Sequence, residues 1–181
     1  MRSDGLIIGF AGKRTSGKTT AAKVAIEKHG FEKAKFAEAF KHGLRETFDL
    51  DHRHTDGDLK EVPCDQLLGT TPRALMEWFG EGARQLCGEE IWVKRWFALH
   101  ADLLLASNYV FDDVRNPNEA AAIQNAGGIV IRVLRDSADA LPVLESETKI
   151  EEIDADFYVI NNGTEAEFIA SINAILKDCT K

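Results

Sequence analysis

Apolar positions along the chain follow two alternating periods. Leu6-Ile7-Ile8-Gly9-Phe10-Ala11 is a continuous apolar run, the pattern of a buried strand. The following Thr20-Ala21-Ala22-Lys23-Val24-Ala25-Ile26-Glu27-Lys28 has helical spacing, with Ala21, Val24 and Ala25 inward and Gly30 as a left-handed stop. A short strand is expected over Ala34-Lys35-Phe36-Ala37, then a helix from about Ala39 with Phe40, Leu44, Thr47 and Phe48 on one face. Residues 49–70 are polar, with several Asp and His, and read as a long surface excursion with one helical turn near Asp65-Leu68.

Thr71-Pro72 is a helix start, Thr as N-cap and Pro in the first turn, and Leu75, Met76, Phe79, Ala83 and Leu86 continue it at helical spacing. A further helix is expected from about Glu90 to Ala106, with Ile91, Phe97, Leu103 and Leu104 available for the core. Tyr109-Val110-Phe111-Asp112 is a strand ending in acid, and Asn116-Pro117-Asn118-Glu119 starts a helix that Gly127-Gly128 stops. Ile129–Leu134 is a strand, 135–154 is polar, Phe157–Ile160 is a last strand, and Glu165–Leu176 a closing helix. Strands separated by helices imply an α/β fold of three layers, a mostly parallel five-stranded sheet with helices on both faces. The 181 residues suit one domain.

Between the first strand and its helix lies Gly12-Lys13-Arg14-Thr15-Ser16-Gly17-Lys18-Thr19, a phosphate-binding P-loop in its expected context. Gly12 and Gly17 can adopt dihedrals closed to other residues, which turns backbone N–H groups inward, and the helix adds the positive end of its dipole. Lys18 can reach the outer phosphates of a nucleotide, and the Thr19 hydroxyl is placed to ligate Mg²⁺.

Ligands in parallel sheets sit at the carboxyl ends of strands. There the sequence places the P-loop, Glu38 and Lys41, Asp112-Asp113-Val114-Arg115, Arg135, and Asn161-Asn162-Gly163. Side chains alternate along a strand, so Asp112 and Asp113 cannot both face a metal. Arg73, Arg84, Arg115 and Arg135 flank the site, as phosphoryl transfer requires cations for donor, acceptor and moving group. Arg14 reads as a solvent-facing loop position, Trp92 and Trp96 as core or base-stacking residues, and the histidines show no ligand spacing.

A net charge of −8 argues against general affinity for polymeric nucleic acid or an anionic membrane. Cys64, Cys87 and Cys179 have neither zinc spacing nor a disulfide framework, which fits a reducing cytoplasm. Met1-Arg2-Ser3-Asp4-Gly5 leads straight into the first strand, and no apolar run approaches membrane-spanning length, so neither a signal peptide nor a membrane anchor is expected.

Several stretches together resemble the bacteriophage-type deoxynucleoside monophosphate kinases: Ile8-Gly9-Phe10-Ala11-Gly12 with the P-loop, Phe36-Ala37-Glu38-Ala39-Phe40-Lys41, Thr71-Pro72-Arg73-Ala74-Leu75-Met76, Gly80 with Arg84, Ile91-Trp92-Val93, and Asp113-Val114-Arg115-Asn116-Pro117-Asn118-Glu119-Ala120. The resemblance runs from about Ile8 to Gly163. Glu38 stands where such kinases tend to carry Asp, and Leu144-Glu145 precede Ser146-Glu147-Thr148 where the family's element has His.

The resemblance implies a cytoplasmic enzyme, in the host's cytoplasm if phage-encoded, that moves the γ-phosphate of ATP to a deoxynucleoside monophosphate. The P-loop kinase domain would carry a substrate-binding helical insertion over about 38–106 and a lid over about 135–154. Gly12, Lys13, Thr15, Ser16, Gly17, Lys18, Thr19 and Thr20 would hold the ATP phosphates, with Asn162 and Gly163 along the adenine. Mg²⁺ would sit on Thr19 and Asp113, while Lys18, Asp113, Arg84 and Arg135 would be catalytic. Arg73 and Arg84 would hold the acceptor phosphate, Glu38, Lys41 and Trp92 would frame its sugar and base, and Arg115 and Glu119 would order the pocket as a buried pair. Aromatics on the 90–106 helix would suit a homodimer. The alternatives are a kinase of another small acceptor such as dephospho-coenzyme A, or a nucleotide-binding switch, although no guanine-type Asn-Lys-x-Asp signature follows any strand. Lys18→Ala is expected to abolish turnover while leaving the fold intact by circular dichroism; retained activity would remove Lys18 from the mechanism.

Overall fold

The computed structural model describes residues 5–140 and 148–180, so the Leu144-Glu145-Ser146-Glu147 stretch lies outside the described residues. Contacts divide the chain into two compact units, one of residues 1–35 and 100–181 and one of residues 36–99.

The first unit holds a five-stranded parallel sheet of β1 (Ile7–Ala11), β2 (Glu32–Ala34), β3 (Tyr109–Val114), β4 (Ile129–Leu134) and β5 (Phe157–Ile160), in the order β2-β3-β1-β4-β5. Its helices are α1 (Lys18–His29), α6 (Pro117–Asn125), the short α7 (Asp136–Asp139) and α8 (Glu165–Cys179). β1 is central and wholly buried, as its unbroken apolar run requires. Alternation sends Ile8 and Phe10 to one face, where they meet Ala21, Ala22 and Ala25 of α1 and Ile172 and Leu176 of α8 in a single core. On the other face Gly9 allows α6 to close in, since a Cβ there would lie 2.7 Å from Ile123 Cδ1 and 2.9 Å from Val114 Cγ2.

Between the β1–β3 register pairs Gly9↔Phe111 and Ala11↔Val114, one residue on β1, Phe10, stands against two on β3. This bulge falls on Asp112 and Asp113, whose side chains take opposite faces of the sheet. β2 lies two residues earlier than its apolar pattern indicates: the Glu32 N–H donates to the Asn108 carbonyl at 2.7 Å and the ladder ends at Ala34↔Phe111. Phe36 is apolar for a different reason, because it packs in the aromatic group of the second unit.

That unit consists of α2 (Glu38–Phe48), α3 (His52–Asp56), α4 (Pro72–Cys87) and α5 (Ile91–His100). Thr71 caps α4 as expected, its hydroxyl accepting from the Ala74 N–H at 3.2 Å. The core is aromatic. Phe40 lies 4.6 Å from Trp92, Phe79 lies 5.9 Å from both, and Trp96 packs edge-on against Phe36 and Phe97.

Four local expectations are corrected. Residues 49–70 contain α3 as well as a 3₁₀ turn at Asp65–Leu67, because Asp51 and His54 form a reciprocal capping box. Thr47 is exposed, and the buried positions of α2 are Phe40, Lys41, Leu44 and Arg45, two of them charged. The helix expected over 90–106 stops at His100 and gives way to a separate turn at Leu103–Leu105. The aromatics of that helix, expected to suit a homodimer, are not exposed: Trp92 and Trp96 are buried and Phe97 is partly so.

Ile172 has no exposure and lies where α8 meets the sheet core. Ile172→Ala is expected to cost about 2–5 kcal/mol, through lost burial plus the cavity left behind. A lower urea midpoint at unchanged slope checks this, and an unchanged midpoint would contradict the packing described.

Candidate active site

The loop between β1 and α1 owes its shape to three residues of positive φ: Gly12 at 144°, Thr15 at 62° and Gly17 at 117°. Two of the three are glycine for steric reasons too. A Cβ on Gly12 would lie 2.5 Å from the Val133 carbonyl oxygen, and one on Gly17 would lie 2.5 Å from Asn161 Nδ2. Gly17 is also the N-cap of α1, so no side chain caps this helix, and its first turn has no acidic residue. An open helix N-terminus with its dipole uncompensated is a ready anion site. Lys18 curls back, its ammonium donating to the carbonyls of Gly12 at 2.6 Å and Lys13 at 2.8 Å. That arrangement places a cation at the mouth of the loop.

The loop is held from several sides. Asn161, buried just past β5, donates from Nδ2 to the Ser16 carbonyl at 2.7 Å, while its own N–H bonds Leu134 O at 2.8 Å. Arg135 donates to the Thr15 carbonyl at 3.2 Å. Lys13 pairs with Asp139 at 2.9 Å and Glu151 at 3.6 Å, and the bond to Asp139 raises the pKa of its ammonium. Glu151 also pairs with Arg132, which holds its carboxyl below the usual range. Beside the loop lies a cleft of about 400 Å³ bounded by Thr15, Gly17, Lys18, Thr19, Thr20, Arg135, Asn161, Gly163, Glu165 and Phe168. Thr19 is exposed at the helix start. Asn162 lies outside that lining and accepts from the Asp136 N–H at 3.0 Å, fastening the β5 exit to α7.

At the end of β3 the two aspartates part. Asp112 is buried and takes the ammonium of Lys33 at 2.5 Å; in the β2–β3 register Lys33 sits beside Val110, on the face covered by α1. Asp113 points the other way, half-exposed, and pairs with Arg115 at 2.5 Å. The acid on the α1 face is therefore Asp112, whereas the sequence reading had named Asp113. The following turn is ordered by Glu119, whose Oε2 accepts from the backbone N–H of Arg115 at 2.9 Å and of Asn116 at 3.2 Å. Burial raises the Glu119 pKa, and those amides oppose the shift. The contact between Arg115 and Glu119 thus runs through the Arg115 main chain.

In the second unit the candidates differ in availability. Glu38 is partly exposed and accepts from Arg45 at 2.6 Å; Lys41 is buried against Asp56 at 2.5 Å. Arg73 is exposed and paired with Glu61 and, at 3.0 Å, Glu77, the former chiefly raising its pKa. Arg84 has a distant partner in Glu81 at 3.6 Å. Trp92 is a core residue whose indole N–H donates to the Gly80 carbonyl at 3.0 Å, so its ring supports the unit from within.

Glu165 and Phe168 of the cleft, and Lys33 and Arg45, were not singled out as site residues from sequence, whereas Asn161 was placed in the loop after the last strand. The signal for Asn161 is a polar residue directly after an apolar strand; the others carry none. Among the described residues no group of three or more His, Cys, Asp or Glu could hold a metal. One hydroxyl and one carboxylate suit an ion that keeps its waters and takes phosphate oxygens, as Mg²⁺ does. Among the described residues no helix is long and apolar enough to cross a membrane.

No family model matches the chain. A protein of Acanthamoeba polyphaga mimivirus, provisionally named a deoxynucleotide monophosphate kinase, is 30% identical over 92% of this chain and 94% of its own. Among solved structures, TT1252 from Thermus thermophilus aligns over 96% of this chain and 97% of its own with a TM-score of 0.54 at 17% identity. Dephospho-CoA kinase from Campylobacter jejuni aligns over 96% of both chains with a TM-score of 0.52 at 15% identity. These two likenesses concern the fold, the parallel sheet with helices on both faces. The viral relative, similar over nearly its whole length, shows more: the chain belongs to the deoxynucleotide monophosphate kinase family.

Proposed function

We propose that this protein transfers the γ-phosphate of ATP to a deoxynucleoside monophosphate, giving the diphosphate. The observation that carries the reading is the uncapped start of α1 beneath a loop of positive-φ residues, with the Lys18 ammonium at its mouth. Such a cradle fits a chain of phosphates, and the family membership supplies the acceptor class. The acceptor phosphate is already anionic near neutral pH, so alignment and charge neutralisation do most of the work and no strong general base is needed.

In this reading the loop amides of residues 12–20 and Lys18 hold the β- and γ-phosphates, and Arg135, at the rim of the cleft, covers the transferring group. Gly163 borders the adenine, with Asn162 tying its loop to α7. Thr19 and one acid at the end of β3 would hold Mg²⁺, which would offset the charge of the phosphates. Asp112, on the α1 face, takes precedence over Asp113 for that role. Arg73 and Arg84 neutralise the acceptor phosphate, for which Arg73 must exchange its pairs with Glu61 and Glu77. Glu38 meets the acceptor sugar, Lys41 backs it through Asp56, and Arg115 and Glu119 shape the turn after β3.

ADP release, assayed with ATP, Mg²⁺ and each of the four deoxynucleoside monophosphates, tests this reading. Release that depends on at least one deoxynucleotide and ceases with excess EDTA is expected. Release with dephospho-coenzyme A instead would reassign the acceptor. Equal slow release in every tube would make the protein a nucleotide-binding switch and withdraw the arginine roles.

A further inference from the structure

Two cations are buried in α2, and their partners form a directed chain. The Arg45 guanidinium, with only 10% of its side chain exposed, donates from Nη2 to Glu38 Oε1 at 2.6 Å and from Nη1 to the hydroxyl of Thr55 at 3.0 Å. That hydroxyl, wholly buried, donates in turn to Asp56 Oδ2 at 3.1 Å, and Lys41 donates to Asp56 Oδ1 at 2.5 Å. Asp56 thus takes Lys41 and Thr55 closely and Arg45 Nη1 at 3.9 Å, while Glu38 has Arg45 as its partner among the described residues. Glu38 itself is 40% exposed and, among the described residues, is held by one oxygen only.

A pair serving stability alone gives little when one partner is exposed, and burying a guanidinium has its own desolvation cost. The geometry does something else well. Arg45 is fixed from behind by Thr55, a residue of a different helix, so it cannot follow Glu38 outward, and Oε1 is pinned to it. The carboxylate is thereby held through Oε1 on a side chain that is 40% exposed, which leaves Oε2 to accept a hydrogen bond from a ligand hydroxyl. Without that clamp an exposed glutamate samples several rotamers, and ordering it on binding costs free energy.

We infer that Arg45 is a positioning residue for acceptor recognition: by clamping Oε1 of Glu38 it aims Oε2 at the 3′-hydroxyl of the deoxynucleotide, and so sets discrimination for acceptors that carry that hydroxyl. The inference rests on the kinase reading above and on Glu38 meeting the acceptor sugar. The Thr55–Asp56–Lys41 arm is the rear support of the same clamp.

The test compares kcat/KM for a deoxynucleoside monophosphate and its 2′,3′-dideoxy counterpart in the wild type, Glu38→Gln, Arg45→Met, Arg45→Lys and the Glu38→Gln/Arg45→Met double variant. The wild type should favour the 3′-hydroxyl by about ten- to hundredfold, the range of one hydrogen bond to a charged group. Arg45→Met should lose most of that preference through the acceptor KM, with the KM for ATP unchanged. Arg45→Lys should restore part of it, and the double variant should discriminate no worse than Glu38→Gln alone. Should Arg45→Met fail to fold, Thr55→Val reads the same ratio. An Arg45→Met enzyme that is weaker on both acceptors alike, with the preference intact, would make the residue merely structural and overturn the inference. Equal use of both acceptors by the wild type would overturn it too while leaving the kinase reading standing; turnover of neither would remove both.

Discussion

The first helix of the sheet unit begins without a cap, and much of the surrounding structure follows from that. A helix start ordinarily satisfies its first N–H groups with a Ser, Thr or Asp side chain. Here the cap position is Gly17 in a left-handed conformation, preceded by Thr15 and Gly12 also at positive φ. Positive φ is unfavourable for Thr15, so the loop needs support from outside itself. Asn161 and Arg135 provide it, each donating to a loop carbonyl from the end of a different strand. The parallel sheet brings those strand ends to the same edge, which is why β4 and β5 contribute to a site whose signature lies entirely after β1.

The positions of the aspartates and of Lys33 follow from the same sheet. Asp112 shares the α1 face with Val110, two residues earlier on β3, and Asp113 takes the opposite face, half-exposed. Lys33 neutralises Asp112 within the sheet unit. Glu119, buried and raised in pKa, orders the backbone that follows. The charges of this edge are thus arranged mainly by backbone geometry.

Elements with a strong period were legible in the sequence. β1, β4, β5, α1 and the start of α4 fall where apolar runs, helical spacing and the Thr71-Pro72 signal place them. β2 and α5 were misjudged because one apolar stretch served two purposes: Phe36 belongs to an aromatic core and not to the strand, and the run beyond His100 is a separate turn. α3 was hidden by polarity, since it is held by a capping box and its buried position is the hydroxyl-bearing Thr55. In the site, the P-loop was readable from glycine spacing, while the choice between Asp112 and Asp113 was not, because alternation separates the two without telling which face of β3 packs against α1. Arg45 and Thr55 were equally invisible: a buried cation and a buried hydroxyl look like surface residues until their partners are known.

A nucleotide held chiefly through its phosphates by the loop and Lys18 should owe little affinity to its base and sugar. The most direct measurement is equilibrium titration of the protein with ADP and with adenosine, each with Mg²⁺. Saturable ADP binding at one site per chain, at least about a hundredfold tighter than adenosine, is the expected result. Comparable affinities for the two, or no binding of ADP, would contradict the account.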